Sequence, residues 1–185
     1  MPTVSLTHCL SRLGLVDPQC WCDQATRMEF AAGETLLPQG ARQRYGFFIE
    51  SGIARACHYD PAGQARCKEF YFEGELCLLY DHWLGQTPSD YALEALEALR
   101  VRRLPLAWFD LPEWAQVQRR LLRQQLRYKE QKEAFLLLHD AEQRYLVLRE
   151  RFPEWEARLT QVQLAGYIGI SPVSLSRIRR RINPG

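Results

Sequence analysis

Leu159-Thr-Gln-Val-Gln-Leu-Ala-Gly-Tyr-Ile-Gly-Ile-Ser-Pro-Val-Ser-Leu-Ser-Arg-Ile-Arg-Arg-Arg-Ile182 is the stretch on which the reading of this chain turns. Thr160 followed by Gln163 is a capping box: the Thr hydroxyl can take the amide of the third helical residue, and the Gln side chain can return to the amide of the cap. A helix therefore starts there, with Leu164, Ala165 and Ile168 on its inward face. Gly169 supplies the left-handed residue that ends it. Ser171 caps a second helix, and Pro172 takes the first position, where a missing amide costs nothing. Leu175, Ile178 and Ile182 recur at three- and four-residue steps and point inward. Two short helices joined by a three-residue turn containing Gly read as a helix-turn-helix.

The second helix turns Val173, Ser174, Ser176, Arg177, Arg180 and Arg181 outward. Small residues at its start let the backbone approach a duplex. Its first amides, with the Ser171 and Ser174 hydroxyls, can bond phosphate oxygens. Arg177 can reach the floor of the major groove and pair with guanine O6 and N7, and Val173 can touch a thymine methyl. Arg180 and Arg181 suit phosphate neutralisation. Thr160 and Pro172, which set the two helix starts, complete the candidate DNA-binding set. The bland alternative is a solvated basic helix end, which the helix dipole favours anyway.

Charge follows the same division. Met1 to Ala115 carries 10 basic and 15 acidic residues, whereas Gln116 to Gly185 carries 14 basic and 7 acidic. The stretch from Leu159 onward holds Arg177, Arg179, Arg180 and Arg181 and no acid. An acidic front and a basic tail suggest two modules, the second facing a polyanion.

Moving toward the N-terminus, Asp140 to Phe152 reads as a helix stopped by Pro153. Before it, residues 112–138 read as one long amphipathic helix, with Pro112 in its first turn. Leu121, Leu122, Leu126 and Phe135 form a narrow apolar stripe that fits a homodimer seam, packing against its own domain being the alternative. From Met28 to Leu104 short apolar runs are cut by Gly33, Gly40, Gly46, Gly52, Gly63 and Gly74. The segments 45–50, 53–59 and 68–72 are aromatic and β-branched, as strands are. Asp60-Pro61-Ala62-Gly63 is a hairpin turn signal. The segments 91–96 and 100–104 close the sheet, although their composition also tolerates helix. Residues 5–27 read as short helices, with Leu6, Cys9, Leu10 and Leu13 on one face and Pro18 as punctuation.

Composition excludes several classes. With 46% apolar and 25% charged residues the chain is neither disordered nor low-complexity. No apolar run is long enough to cross a membrane, and the N-terminus lacks the pattern of a secretory signal, so a cytoplasmic location is expected. The six cysteines, Cys9, Cys20, Cys22, Cys57, Cys67 and Cys77, include no Cys-x-x-Cys pair, and none of His8, His58, His82 and His139 is spaced for metal ligation with another. No metal site, disulfide framework or cofactor is expected. No nucleophile triad, phosphate loop or dinucleotide fingerprint is present, so an enzyme is not expected.

Taken together, the chain resembles the bacterial Crp–Fnr transcription regulators. The resemblance runs from about Phe30 to Ile182. It is carried by Gly33-Glu34, Gly40, Phe47-Phe48-Ile49-Glu50-Ser51-Gly52, Gly63, Gly74-Glu75-Leu76, Ala141-Glu142-Gln143-Arg144-Tyr145, Leu164 to Ser171 and Leu175-Ser176-Arg177-Ile178, in order and at matching spacing. It implies an α+β chain: an N-terminal antiparallel β-roll of the double-stranded β-helix or jelly-roll type, a long dimerisation helix, and a small winged helix-turn-helix domain. The corresponding domains are 1–111, 112–138 and 139–185. It further implies a homodimer, double-stranded DNA and RNA polymerase as partners, and a small-molecule effector in the roll.

Two departures matter. In nucleotide-binding members a Gly-Glu-Leu segment is followed by an Arg that neutralises the cyclic phosphate. Gly74, Glu75 and Leu76 match, but Gly85 to Tyr91 holds Thr87, Ser89 and Asp90 and no Arg. Tyr128 and Lys129 stand about where such members carry small hydroxyl residues. Binding of cyclic AMP is therefore expected to be weak or absent, and Gly74-Glu75-Leu76 is read first as a turn that shapes the roll. Only Asn183-Pro184-Gly185 follow the second helix, so the wing is expected to be minimal or missing. The rival readings are a redox or haem sensor using Cys9, Cys20, Cys22 or a His on the same frame, and an effector-independent interaction module with degenerate DNA binding.

Overall fold

In the computed structural model, which describes residues 5–182, the segment Tyr45–Ser51 forms a strand buried on both faces. Side chains alternate across a strand. Phe47 and Ile49 therefore enter one apolar cluster while Phe48 enters another. This strand, β3, has seven companions: β1 (Thr26–Phe30), β2 (Thr35–Leu37), β4 (Ala54–Tyr59), β5 (Ala65–Tyr71), β6 (Leu76–Cys77), β7 (Ala92–Ala95) and β8 (Leu99–Pro105). They form two four-stranded antiparallel sheets, ordered β1-β8-β3-β6 and β2-β7-β4-β5. Leu37, Phe47, Ile49, Ala54, Ala56, Tyr71, Leu93 and Val101 fill the space that the strands of both sheets share.

The hairpin between β4 and β5 forms where Asp60-Pro61-Ala62-Gly63 places it. Asp60 Oδ1 accepts the amides of Ala62 (3.0 Å) and Gln64 (2.9 Å), and Gly63 takes φ 77°. The helix-tolerant segments are strands. Val101 and Arg102 pair on both sides, with β1 and with β3, and two-sided pairing overrides weak propensity. Several short elements were not read from the sequence, among them β1, which begins at Thr26 inside a stretch read as helical, β2, β6, which is defined by pairing with β3, and helix α3 (Tyr80–Gly85).

The second cluster brings α1 (Leu6–Arg12) and α2 (Pro18–Gln24) against the face of β3 that carries Phe48. Leu6, Leu10 and Leu13 are buried there, as their spacing predicted. The aromatic centre joins Trp21 to Trp108 (5.2 Å between rings) and to Trp114 (5.3 Å), and Phe109 to Trp114 (4.9 Å). Two 3-10 turns, Leu106–Asp110 and Pro112–Trp114, lead into the long helix α4 (Ala115–Leu138). Pro112 thus opens a 3-10 turn, and the α-helix proper begins at Ala115.

Packing divides the chain into two units at Gln125/Leu126, inside α4. The boundary differs from the three-part division that the sequence suggests because α4 changes partners along its length. Trp114, Val117 and Leu121 are buried in the first unit's helical cluster, while Tyr128 and Phe135 belong to the second. The second unit continues with α5 (Ala141–Arg151), a short α6 (Trp155–Arg158), α7 (Gln161–Tyr167) and α8 (Pro172–Ile182). Tyr145, Leu148, Trp155, Leu159, Leu164, Ile168, Leu175 and Ile178 are among its buried side chains. The architecture is α+β: an antiparallel β-roll, a long helix and a small C-terminal helical unit. Asn183 to Gly185, on which the expectation about the wing rests, lie outside the described residues. Among the described residues no helix is long and apolar enough to cross a membrane.

Candidate nucleic-acid interface

Helices α7 and α8 begin and end as their local sequence dictates. Thr160 N donates to Gln163 Oε1 (2.7 Å), and Gln163 N donates to Thr160 Oγ1 (3.3 Å), closing the capping box. At the other end Gly169 adopts φ 72°. Ile170 N then donates to Ala165 O (3.0 Å) and Gly169 N to Gly166 O (3.3 Å), the paired bonds that satisfy the last carbonyls of a helix. Ser171 Oγ accepts the Ser174 amide (3.0 Å) and lies 2.8 Å from Ser174 Oγ. Gln161 Nε2 donates to Pro172 O (2.7 Å), locking the first turns of the two helices together.

A side chain from α5 fixes the turn between them. The Arg144 guanidinium donates to three carbonyls: Leu136 (2.8 Å), His139 (2.9 Å) and Ile168 (3.0 Å). One fork thereby ties the end of α4, the α4–α5 link and the end of α7. Sequence reading placed Arg144 in a matching block but assigned it no role. Its partners come from three segments, and no local spacing reveals that.

The arginines of α8 divide into two kinds. Arg177 and Arg180 are exposed, and Arg180 Nη2 reaches Ser176 Oγ at 3.3 Å. Val173 is 61% exposed one turn before Arg177, and Ser176 lies between them, half-buried. Arg181 is exposed and paired with Glu142. Arg179 instead turns toward the unit's interior. Its Nε donates to Tyr145 Oη (3.1 Å), and its Nη2 meets Glu156 Oε1 (3.1 Å). Tyr145 donates its hydroxyl to the same carboxylate. Burial first, then this bond to Glu156, raises the Tyr145 hydroxyl above its ordinary value, against the opposing pull of Arg179. With Leu175 and Ile178 buried, α8 presents Val173, Arg177 and Arg180 on the opposite side.

The other candidate residues are dispersed. Glu75 Oε2 accepts the Phe72 amide (2.8 Å), and Gly74 N donates to Ile49 O (2.9 Å), so this segment is a braced turn between β5 and β6, and Leu76 is buried. Ser89 is buried; its Oγ donates to Tyr91 O (2.7 Å) and accepts the Tyr91 amide (3.0 Å). Thr87 Oγ1 lies 3.2 Å from His82 Nδ1. Arg42, from another segment, bridges Pro88 through the backbone. Tyr128 and Lys129 belong to the second unit. Tyr128 Oη is 3.2 Å from Tyr167 Oη, and Lys129 is exposed.

Of the four residues proposed for a seam, Leu121 and Phe135 are buried within the chain's own units, Leu122 packs partly against the first cluster, and Leu126 is 63% exposed. Leu137 and Leu138 are exposed on the same helix. Burial pushes the Cys9 thiol up to about 11, and raises Cys22, which accepts a hydrogen bond from Thr7; Cys20 is exposed. Among the described residues no group of three His, Cys, Asp or Glu is placed to hold a metal ion.

No family model matches the sequence, and no curated protein matches it. Solved structures do. FixK2 from Bradyrhizobium japonicum superposes with a TM-score of 0.69 at 18% identity, covering 85% of this chain and 84% of its own. A CRP/FNR-family transcriptional regulator from Thermus thermophilus gives 0.69 at 19% identity, covering 85% of each chain. A second CRP-family regulator from the same organism gives 0.64 at 21% identity, covering 84% of this chain and 83% of its own. At such low identity the likeness establishes architecture, and the chain has the fold of the CRP/FNR transcriptional regulators.

Proposed function

We propose that this protein is a DNA-binding transcription regulator of the Crp–Fnr type that binds a palindromic operator as a homodimer. The observation that carries the reading is the surface of α8. It is acid-free, it presents Val173, Arg177 and Arg180 outward, and it stands on a turn fixed by the Schellman bonds and by Arg144. α8 acts as the recognition helix of a helix-turn-helix. Arg177 reads a guanine, and Arg180 neutralises phosphate. Arg181 contributes less than its position in the sequence suggests, because Glu142 already engages it. Two such helices related by a two-fold axis require half-sites about one helical turn, roughly 34 Å, apart. Binding to a random-sequence duplex, followed by fluorescence anisotropy, should weaken steeply as salt rises, because bound phosphates release counterions. No binding at low salt would contradict the reading.

The effector is not cyclic AMP in this proposal. The carboxylate of Glu75 braces its own turn, Ser89 is bonded to backbone, and Gly85 to Tyr91 brings no cation for a cyclic phosphate. Titration calorimetry should give no binding at micromolar concentrations, and micromolar affinity would overturn this part.

A further inference from the structure

Outside the elements already assigned, two cysteines on neighbouring strands stand opposite each other in the second sheet. Cys57 on β4 pairs in register with Cys67 on β5. A β-bulge creates the pairing. Ala56 faces Glu69, so an unbroken ladder would set Cys57 against Lys68; the register shift drops Lys68 out and brings in Cys67. Residues directly opposite in an antiparallel pair have Cα atoms about 4.5–5.5 Å apart, inside the range that a disulfide spans. The two thiols are hydrogen-bond partners, and Cys67 Sγ also lies 3.7 Å from Glu69 O. Cys57 is buried, whereas Cys67 is half-buried on β5, the edge strand of its sheet.

We propose that Cys57 and Cys67 form a reversible redox site, in which a low-molecular-weight disulfide converts the two thiols into an intramolecular disulfide. The more accessible Cys67 sulfur attacks the small disulfide. Its proton goes to solvent, the small thiolate that leaves takes one up in turn, and Cys67 carries the mixed disulfide. Cys57 then gives up its proton and attacks the Cys67 sulfur, forming the Cys57–Cys67 bond and expelling the second small thiolate. Two protein thiols are oxidised and one small disulfide is reduced to two thiols, so electrons and protons balance. The surroundings support the second step. In the reduced pair the hydrogen bond with Cys67 lowers the Cys57 thiol below its ordinary value, outweighing burial; Arg55 on the same strand also lowers it while Glu94 opposes, and the Arg55 charge is still there once Cys67 carries the small thiol. Arg55 and Glu94 are themselves paired at 2.9 Å, so that guanidinium is held beside the site.

The inference does not depend on the DNA-binding reading, and its test does not measure DNA. The full chain, reduced and then incubated with oxidised glutathione, is digested without reductant and its peptides are mapped by mass. The expected product is a cross-link between Cys57 and Cys67 that dithiothreitol reverses. In Cys57→Ser the second step is lost, and glutathione should persist on Cys67; in Cys67→Ser, Cys57 should stay unmodified. The map of the unmutated chain decides the matter even if either variant folds poorly. Disulfides only among Cys9, Cys20 and Cys22, a persistent glutathione adduct on Cys67 while Cys57 is intact, or no oxidation at all would each overturn the proposal.

Discussion

Arg177, Arg179 and Arg144 show how three identical side chains take three roles. Arg177 is exposed on α8, and its guanidinium suits two-pronged base contact. Replacing it with Ala should cost about 1–3 kcal/mol against the preferred base and relax preference at one operator position, while random-sequence binding falls far less. Competition binding with single-base operator variants checks this; an equal loss on every sequence would make Arg177 a phosphate contact. Arg179 is held by Tyr145 and Glu156. Arg144 satisfies three carbonyls at once, and its removal leaves helix-end acceptors unpaired. Arg144→Ala should therefore destabilise the second unit by about 1–3 kcal/mol, and Arg144→Lys should restore little, since a point charge cannot bridge three acceptors. Urea unfolding measures both. The four arginines after Leu175 look alike in sequence. Arg179 is distinguished by Tyr145 and Glu156, 34 and 23 residues away, and no local pattern carries that information.

At the scale of elements, legibility followed locality. α7 and α8 were readable because capping box, Gly169 and Ser171-Pro172 punctuate them with short-range chemistry. The hairpin at Asp60 was readable for the same reason. α3 has no side-chain cap bond and β6 has two residues, so neither leaves such a signature. The long helix was found, but its apolar stripe serves more than one surface: Leu121 is buried in the first unit and Phe135 in the second. The exposed remainder includes Leu126, and in the proposed homodimer a second copy covers it. Leu126→Glu should shift the protein from dimer to monomer in sedimentation with little change in melting temperature. Leu121→Glu should unfold the first unit instead, because it places a charge in a dry cluster. A dimer that survives Leu126→Glu would move the seam off this part of α4.

For the whole molecule, the division at Gln125/Leu126 gives two cores, and the first holds most of the groups that burial raises. In the first unit, burial raises Cys9 from an ordinary 9.0 to about 11, and it raises Cys77 and Tyr80 as well. Groups whose folded values are raised keep their full contribution to stability below the unfolded value and lose it as pH climbs through the folded one. The first unit's melting temperature should hold level up to about pH 8 and fall between about pH 9 and pH 11. Replacing Cys9 with Ser should flatten part of that fall, and a melting temperature constant to about pH 11 would contradict the burial argument.

The β-roll and the helical unit were both legible as classes from texture and charge, because a strand-rich stretch, broken only by the short α3, is followed by a helix-rich one. What was not legible was the partnership of distant segments: the turn that Glu75 closes on itself, the boundary inside α4, and the bulge that sets Cys57 opposite Cys67. The central claim is that α8 reads a two-fold DNA sequence. Selection of bound duplexes from a random library, with purified protein and excess non-specific competitor, tests it most directly. The account predicts a palindromic motif with half-sites about one helical turn apart and a guanine whose preference weakens in Arg177→Ala. Recovery of no motif, or of one unchanged by Arg177→Ala, would contradict it.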